Sequence, residues 1–212
     1  MTPPTVQFIP ASGPTLIVHD DFSGTPGDYI SGRTPNQVNT PGNNWLTQLS
    51  STYYGIASSG TDAVPFGSAG TSGMFINVGT TEFDLDVTTR VVSSNHPWNF
   101  RHGPLIGYIN ATRAFSLIQI GDYGTSLKQT EYNGSTATDT TLHTFPVIAI
   151  NTDIRWQLSV SGTSVSYDVT VGGSALASGS ITVNVANGFP GWWSRYSESN
   201  SGAILKDFKV YA

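Results

Sequence analysis

The sequence predicts an all-β fold in which two antiparallel sheets pack face to face as a sandwich. Apolar and polar residues alternate with period two in several stretches, most clearly Glu82–Val92 and Asp153–Val171. No stretch of ten or more residues carries helical periodicity. Gly supplies 23 of 212 residues and charged side chains only 11%, so short strands, tight turns and hydroxyl-rich outer faces are expected.

The elements follow in order. Residues 1–14 hold Pro3, Pro4, Pro10 and Pro14 and read as an extended arm ahead of one sandwich over 15–212. Thr15–Asp20 is a first strand, and Gly24–Asn44 is a long Pro/Gly/Asn-rich excursion. Trp45–Leu49, Tyr53–Ala57 and Gly73–Val78 read as short strands. In Glu82–Val92, Phe83, Leu85 and Val87 oppose Glu82, Asp84 and Asp86, the mark of a half-buried strand. Leu105–Ile109, Ala114–Ile120 and Ser126–Tyr132 follow, the last ending on the hairpin signal Asn133-Gly134. Asp153–Val160 turns at Ser161-Gly162 into Val165–Val171, and Gly172-Gly173 turns again into Ser174–Val185. The last strand is Ala203–Tyr211. Phe83, Leu85, Trp156, Leu158, Val169 and Phe208 are expected between the sheets, and Trp45 in the core as well. Strands without crossover helices make a sandwich or jelly roll.

Composition narrows the function classes. A chain of this length buries roughly 70% of its unfolded surface, so it needs neither disulfide nor metal to fold. The absence of cysteine excludes thiol catalysis and Cys-ligated zinc. A net charge of −5 argues against a nucleic-acid surface. No apolar run reaches the length of a membrane span, and the start Met1-Thr2-Pro3-Pro4-Thr5 lacks the basic-then-apolar order of a secretory signal. Weak self-repulsion favours assembly of several copies, and a homo-oligomer is expected. No cofactor is expected.

Several short motifs carry a resemblance. His19-Asp20-Asp21-Phe22-Ser23-Gly24, Ser31-Gly32-Arg33-Thr34-Pro35 and Trp45 resemble segments of concanavalin A-like lectin/glucanase (LamG-like) domains of bacteriophage structural proteins. Ile154-Arg155-Trp156-Gln157-Leu158-Ser159-Val160 and the closing Ile204-Leu205-Lys206-Asp207-Phe208-Lys209-Val210 are similar to later strands of that fold, where the last usually pairs beside the first. The likeness covers nearly the whole chain after residue 14. It implies a concanavalin A-like jelly roll and a virion protein assembled in the host cytoplasm. The family spans lectins, glycanases, carbohydrate-binding modules and purely structural virion domains, so the fold alone does not name the function.

Candidate sites fall into three groups. Glu82, Asp84 and Asp86 share one strand face. They resemble the catalytic row of family 16 glucanases, with Glu82 as nucleophile and Asp86, one methylene short of the usual Glu, as acid/base. A retaining hydrolase needs its two carboxyl groups about 5–5.5 Å apart. The bland reading, a solvated face of alternating carboxylates, is preferred here. The second group is aromatic and polar. His96, Trp98, Asn99, Arg101 and His102 form a stretch that reads as a loop, and Trp192, Arg195 and Tyr196 form another cluster. An aromatic face beside a guanidinium suits a sugar, with its apolar C–H face and polar edges. If extended, Trp192 and Trp193 point to opposite faces, one to the core and one outward. The third is a weak calcium candidate at Asp20, Asp21 and Asp207, should the first and last strands be neighbours. The sequons at Asn110 and Asn133 read as chance matches. No Gly-x-Ser-x-Gly elbow or Walker loop is present.

The expected function is a non-catalytic virion component, in a tail, a fibre or on the capsid, that binds a surface glycan or a protein partner. The alternatives are a glycoside hydrolase or lyase using Glu82, Asp84 and Asp86, and a purely structural decoration module.

Overall fold

A computed structural model describes residues 14–39, 43–48, 53–66, 70–91, 101–121, 124–196 and 203–212. The strands are β1 (Leu16–Asp20), β2 (Gln37–Val38), β3 (Leu46–Gln48), β4 (Tyr53–Ile56), β5 (Ala63–Phe66), β6 (Gly70–Phe75), β7 (Glu82–Val91) and β8 (Arg101–Ile109). They continue with β9 (Ala114–Gly121), β10 (Ser126–Tyr132), β11 (Ala137–Thr144), β12 (Asp153–Ser161), β13 (Ser164–Val171), β14 (Ser174–Thr182), β15 (Gly191–Tyr196) and β16 (Ala203–Tyr211). No α-helix occurs among the described residues. Two antiparallel sheets form a sandwich. The first runs β14-β13-β12-β7-β16-β1-β2, with β5 and β4 joined to the end of β16, and the second runs β11-β10-β9-β8-β15-β6-β3.

The first sheet behaves as the alternation requires. Trp156 stands between Val87 and Val169 in register, and Leu158 between Leu85 and Tyr167. Phe208 and Val210 continue these rows from the other side of β7. All of them are buried, and burying each large apolar side chain contributes roughly 1.5–3 kcal/mol. The residues between them, among them Gln157, Asp86 and Lys209, form the outward polar face. β1 does pair with β16, as the resemblance implied, and Thr15 and Ala212 exchange two backbone hydrogen bonds at the open end.

The motif residues of the 19–45 region serve this architecture. The Asp20 carboxylate is fully buried and accepts from Arg33 Nε (3.3 Å) and NH2 (3.0 Å), from Trp45 Nε1 (2.8 Å) and from the Phe22 amide (2.9 Å). Trp45 in turn meets Phe208 edge-on at 4.9 Å. Phe22 adopts a left-handed backbone (φ 56°) while its ring is fully buried, so core packing offsets the strain. This clamp ties the proline- and glycine-rich excursion to the core.

The second sheet departs from one-sided alternation. Every residue of β9 is buried, and so is nearly all of β8. Its inner face joins the main core through Ile106, Ile118, Ile120, Leu127 and Trp192. Its outer face carries a separate cluster of Phe75, Leu105, Tyr108, Phe115, Leu117 and Trp193. Within it Phe75 stacks on Tyr108 at 4.4 Å and meets Phe189 edge-on at 6.1 Å.

Two sequence expectations need correction. The stretch expected to be a loop through His102 is already strand from Arg101, because β8 pairs with β15 from that residue onward. β11 was not anticipated: it is an edge strand with almost every residue exposed, so it has no apolar face to show.

Candidate functional site

The two aromatic–polar clusters of the sequence lie on adjacent strands. β15 pairs β8 with Trp192 opposite Pro104, Trp193 opposite Gly103, Ser194 opposite His102 and Arg195 opposite Arg101. Directly opposed residues share a face, so alternation divides the candidates into two sets.

Trp192 and His102 go inward, which removes both from the expected ligand surface. Both are fully buried. His102 lies 5.6 Å from Trp192 and meets Trp156 of the other sheet edge-on at 6.0 Å. Burial among these rings pushes the His102 imidazole down to about 3, so it is neutral and serves as a core ring. Trp193, Arg101 and Arg195 go outward. Tyr196 ends β15, but its side chain lies outside the described residues, as do His96, Trp98 and Asn99 entirely.

The outward set belongs to a side-chain cluster on the outer face that the sequence did not suggest. Arg101 NH1 donates to Asp139 Oδ2 at 3.0 Å. Arg101 is on β8 and Asp139 on β11, three strands away. Three steps across a flat sheet cover about 14 Å, more than the two side chains span together. The outer face must therefore curl inward, with this ion pair as a strap across it. In register Thr130 of β10 stands between Asp139 of β11 and Leu117 of β9, and Gln119 stands one outward position along β9, opposite Lys128.

Beneath the strap, Thr130 Oγ1 donates to Asp139 Oδ1 (2.7 Å), so its oxygen is left to accept from Gln119 Nε2 (2.5 Å). That order fixes the amide: Gln119 Oε1 is the end turned away. It is buried and has no hydrogen-bond partner. Trp193 Nε1 is in the same condition. Gly103 opposes Trp193, and the register of β8 on β9 carries it to Gln119 on its other side. A Cβ at Gly103 would fall 1.9 Å from the Ile118 carbonyl oxygen, so no other residue fits there. The floor thus offers a glycine notch with an unpaired donor on one side and an unpaired acceptor on the other, beside the Leu105 and Leu117 side chains. Each such atom costs roughly 1–3 kcal/mol, which makes it worth explaining. Gln119 was legible only as a polar residue inside an otherwise apolar run, and Thr130 and Asp139 carried no signal.

The other candidates are placed as follows. Glu82, Asp84 and Asp86 stand on the outward face of the first sheet, opposite the core-facing Phe83 and Leu85. Asp86 gives both oxygens to Arg155, at 2.9 and 2.6 Å, and Lys209 lies opposite it in register. The calcium set does not converge. Asp20 opposes Phe208 and shares its inward face, while Asp207 faces outward and binds His19 Nε2 at 2.9 Å and the Lys209 ammonium. Asp21 accepts from the Ser23 amide at 2.9 Å, a bond that holds its carboxyl below the usual range. Among the described residues no three His, Asp or Glu side chains are grouped to hold a metal.

No family model and no curated protein matches the chain. Solved structures do match. The carbohydrate-binding module CBM66 from Bacillus subtilis superposes with a TM-score of 0.58 at 10% identity, covering 89% of this chain and all of that one. The exoplasmic/lumenal domain of VIP36, bound to Ca2+ and Man3GlcNAc, gives 0.55 at 9% identity over 79% and 82% of the two chains. Domain 4 of AbnA, a GH43 extracellular arabinanase from Geobacillus stearothermophilus in complex with arabinotriose, gives 0.52 at 12% identity over 93% and 92%. At these identities the likeness concerns architecture: the chain has the lectin-like β-sandwich fold.

Proposed function

We propose that the chain is a non-catalytic carbohydrate-binding module whose glycan docks on the outer face of the β11-to-β3 sheet. The observation that carries this reading is the pair of buried, unpartnered atoms, Trp193 Nε1 and Gln119 Oε1, flanking Gly103. A sugar hydroxyl is donor and acceptor at once, so a polyol can satisfy both, and its C–H face suits the adjacent apolar floor. Both atoms are buried, so the glycan reaches them only as the face above them opens; the Arg101–Asp139 pair on that face is 30% and 26% exposed and meets solvent. The sugars bound by VIP36 and AbnA domain 4, Man3GlcNAc and arabinotriose, favour the same class.

The finer reading is a virion appendage that presents this face to a cell-surface glycan. It is supported by the resemblance of the 19–45 and 154–160 motifs to phage structural domains, and by a low charge that permits close packing of copies.

The test is retention on a glycan array by the wild-type chain and by Gln119→Leu. The substitution removes the unpaired carbonyl and keeps the volume, so the melting temperature should hold or rise while glycan retention falls. Equal retention by the two would refute the site, and no retention by the wild type on a broad array would refute the function.

A further inference from the structure

We infer that two copies of the chain join edge to edge along β14, pairing residues 177–181 antiparallel across a two-fold axis at Gly179. Strand edges carry unpaired amides and carbonyls, and folded chains guard them with short length, charge, proline or bulges. The paths of the two sheets end on β14, β2, β11 and β3. β2 and β3 are two and three residues long, and β11 carries Asp139. β14 has neither charge nor proline over nine residues. Its irregularity against β13, at Leu176, lies toward one end and leaves residues 177–182 in unbroken register. Ser178, Gly179 and Ser180 are exposed, so nothing among the described residues covers the edge there.

The ladder fixes which backbone groups are free. The Val183 amide donates to the Thr163 carbonyl at 2.9 Å, next to the Ser164–Thr182 pair. Bonded pairs alternate in an antiparallel ladder, so Ile181 and Gly179 turn their backbone groups to β13, while Thr182, Ser180 and Ser178 turn theirs away. The Thr182 carbonyl accepts from Gln129 Nε2 at 2.6 Å instead. With Gly179 on the axis, Ser178 faces the partner's Ser180 and exchanges both backbone bonds with it, and symmetry repeats the pair. Ala177 then meets the partner's Ile181, apolar against apolar. Moving the axis one residue either way engages the Leu176 irregularity or the capped Thr182 carbonyl. Tyr167 gives an independent sign. Its ring reaches from β13 over Gly179, where a Cβ would lie 2.8 Å from the hydroxyl oxygen. That hydroxyl makes no hydrogen bond among the described residues, and only burial acts on its pKa, upward. At the axis the two Gly179 Cα atoms come to about 4.5 Å. The Tyr167 hydroxyl and that of the partner's Tyr167 then meet above them, one donating and one accepting.

The experiment is sedimentation equilibrium on the full chain, and the expected state is a reversible dimer. Ser178→Lys together with Ser180→Lys sets like charges directly opposite each other at exposed positions. The pair of substitutions should raise the dimer dissociation constant about tenfold or more, with the melting temperature at low concentration unchanged. Tyr167→Phe, which removes only the hydroxyl, should weaken the dimer as well. Thr140→Lys, on the edge of the other sheet, should leave it intact. The chain has no cysteine of its own, so Ser178→Cys with Ser180→Cys should oxidise to a covalent dimer. A bonded pair spaces its Cα atoms about 5.5 Å apart, which suits a disulfide. A wild-type chain that stays monomeric across the micromolar range overturns the inference. So does an assembly that survives the paired lysine substitutions, one that Thr140→Lys breaks, or a dimer that the cysteine pair does not cross-link.

Discussion

Acid should unfold this protein earlier than its carboxylates require, because of His102. The imidazole is buried between Trp156 and Trp192 and held down to about 3. In the unfolded chain it titrates near 6.5. Its folded pKa is thus depressed, and for a base that means the unfolded state binds the proton first. The contribution is complete above about pH 6.5 and is lost as pH falls from there toward 3. The slope approaches about 1.4 kcal/mol per pH unit, so about 3 kcal/mol should be gone by pH 4.5. Asp153, lowered chiefly by its bond from Arg90, and Asp21 lose their contributions as pH falls through the ordinary carboxylate value and below it, so the His102 window opens first. Urea denaturation at half-unit steps from pH 7.5 to 4.5 reads the slope directly. In His102→Leu, which keeps an apolar side chain among the same rings, the slope over that range should be largely absent. A wild-type stability that is flat between pH 7 and 5, or an equal slope in His102→Leu, would refute the reasoning.

Other outcomes follow from the same geometry. Arg33→Ala strands the Asp20 carboxylate in the core and should cost about 3–5 kcal/mol in thermal or urea melts; Arg33→Lys should restore only part, since it lacks the fork. Trp192→Ala should cost about 3–5 kcal/mol as a core truncation. Retained stability there would show the ring is not the brace between sheets that its contacts with His102 and Trp156 describe. Incubation with a panel of β-glucans should release no reducing ends; release abolished by Glu82→Gln would establish the carboxylate row as catalytic. Removing residues 1–14 should leave the melting temperature unchanged while lowering the mass seen by light scattering or the uptake into particles, and unchanged values in both assays would argue against the arm as a contact.

The fold was legible where a strand has one face in the core and one in water. Glu82–Val91 and Asp153–Val171 show their alternation because each inward row meets an apolar row on its neighbour. β11 was illegible because both its faces meet solvent; β9, read as the strand Ala114–Ile120, shows no one-sided alternation because both its faces are buried. The opposite orientations of Trp192 and Trp193 followed from the pleat alone; which ring went to the core did not.

The sequence by itself settled what each strand does locally: its period, its turns and its apolar row. These depend on neighbours a few residues away. It could not settle which strands lie side by side. Arg101 and Arg195 oppose each other, Asp139 reaches Arg101 from three strands off, and Asp20 and Asp207 turn to opposite faces. Strand order, register and curl come from packing the whole sandwich at once. A side-chain cluster assembled from β8, β9, β10, β11 and β15 therefore has no local signature and exists only in the folded chain.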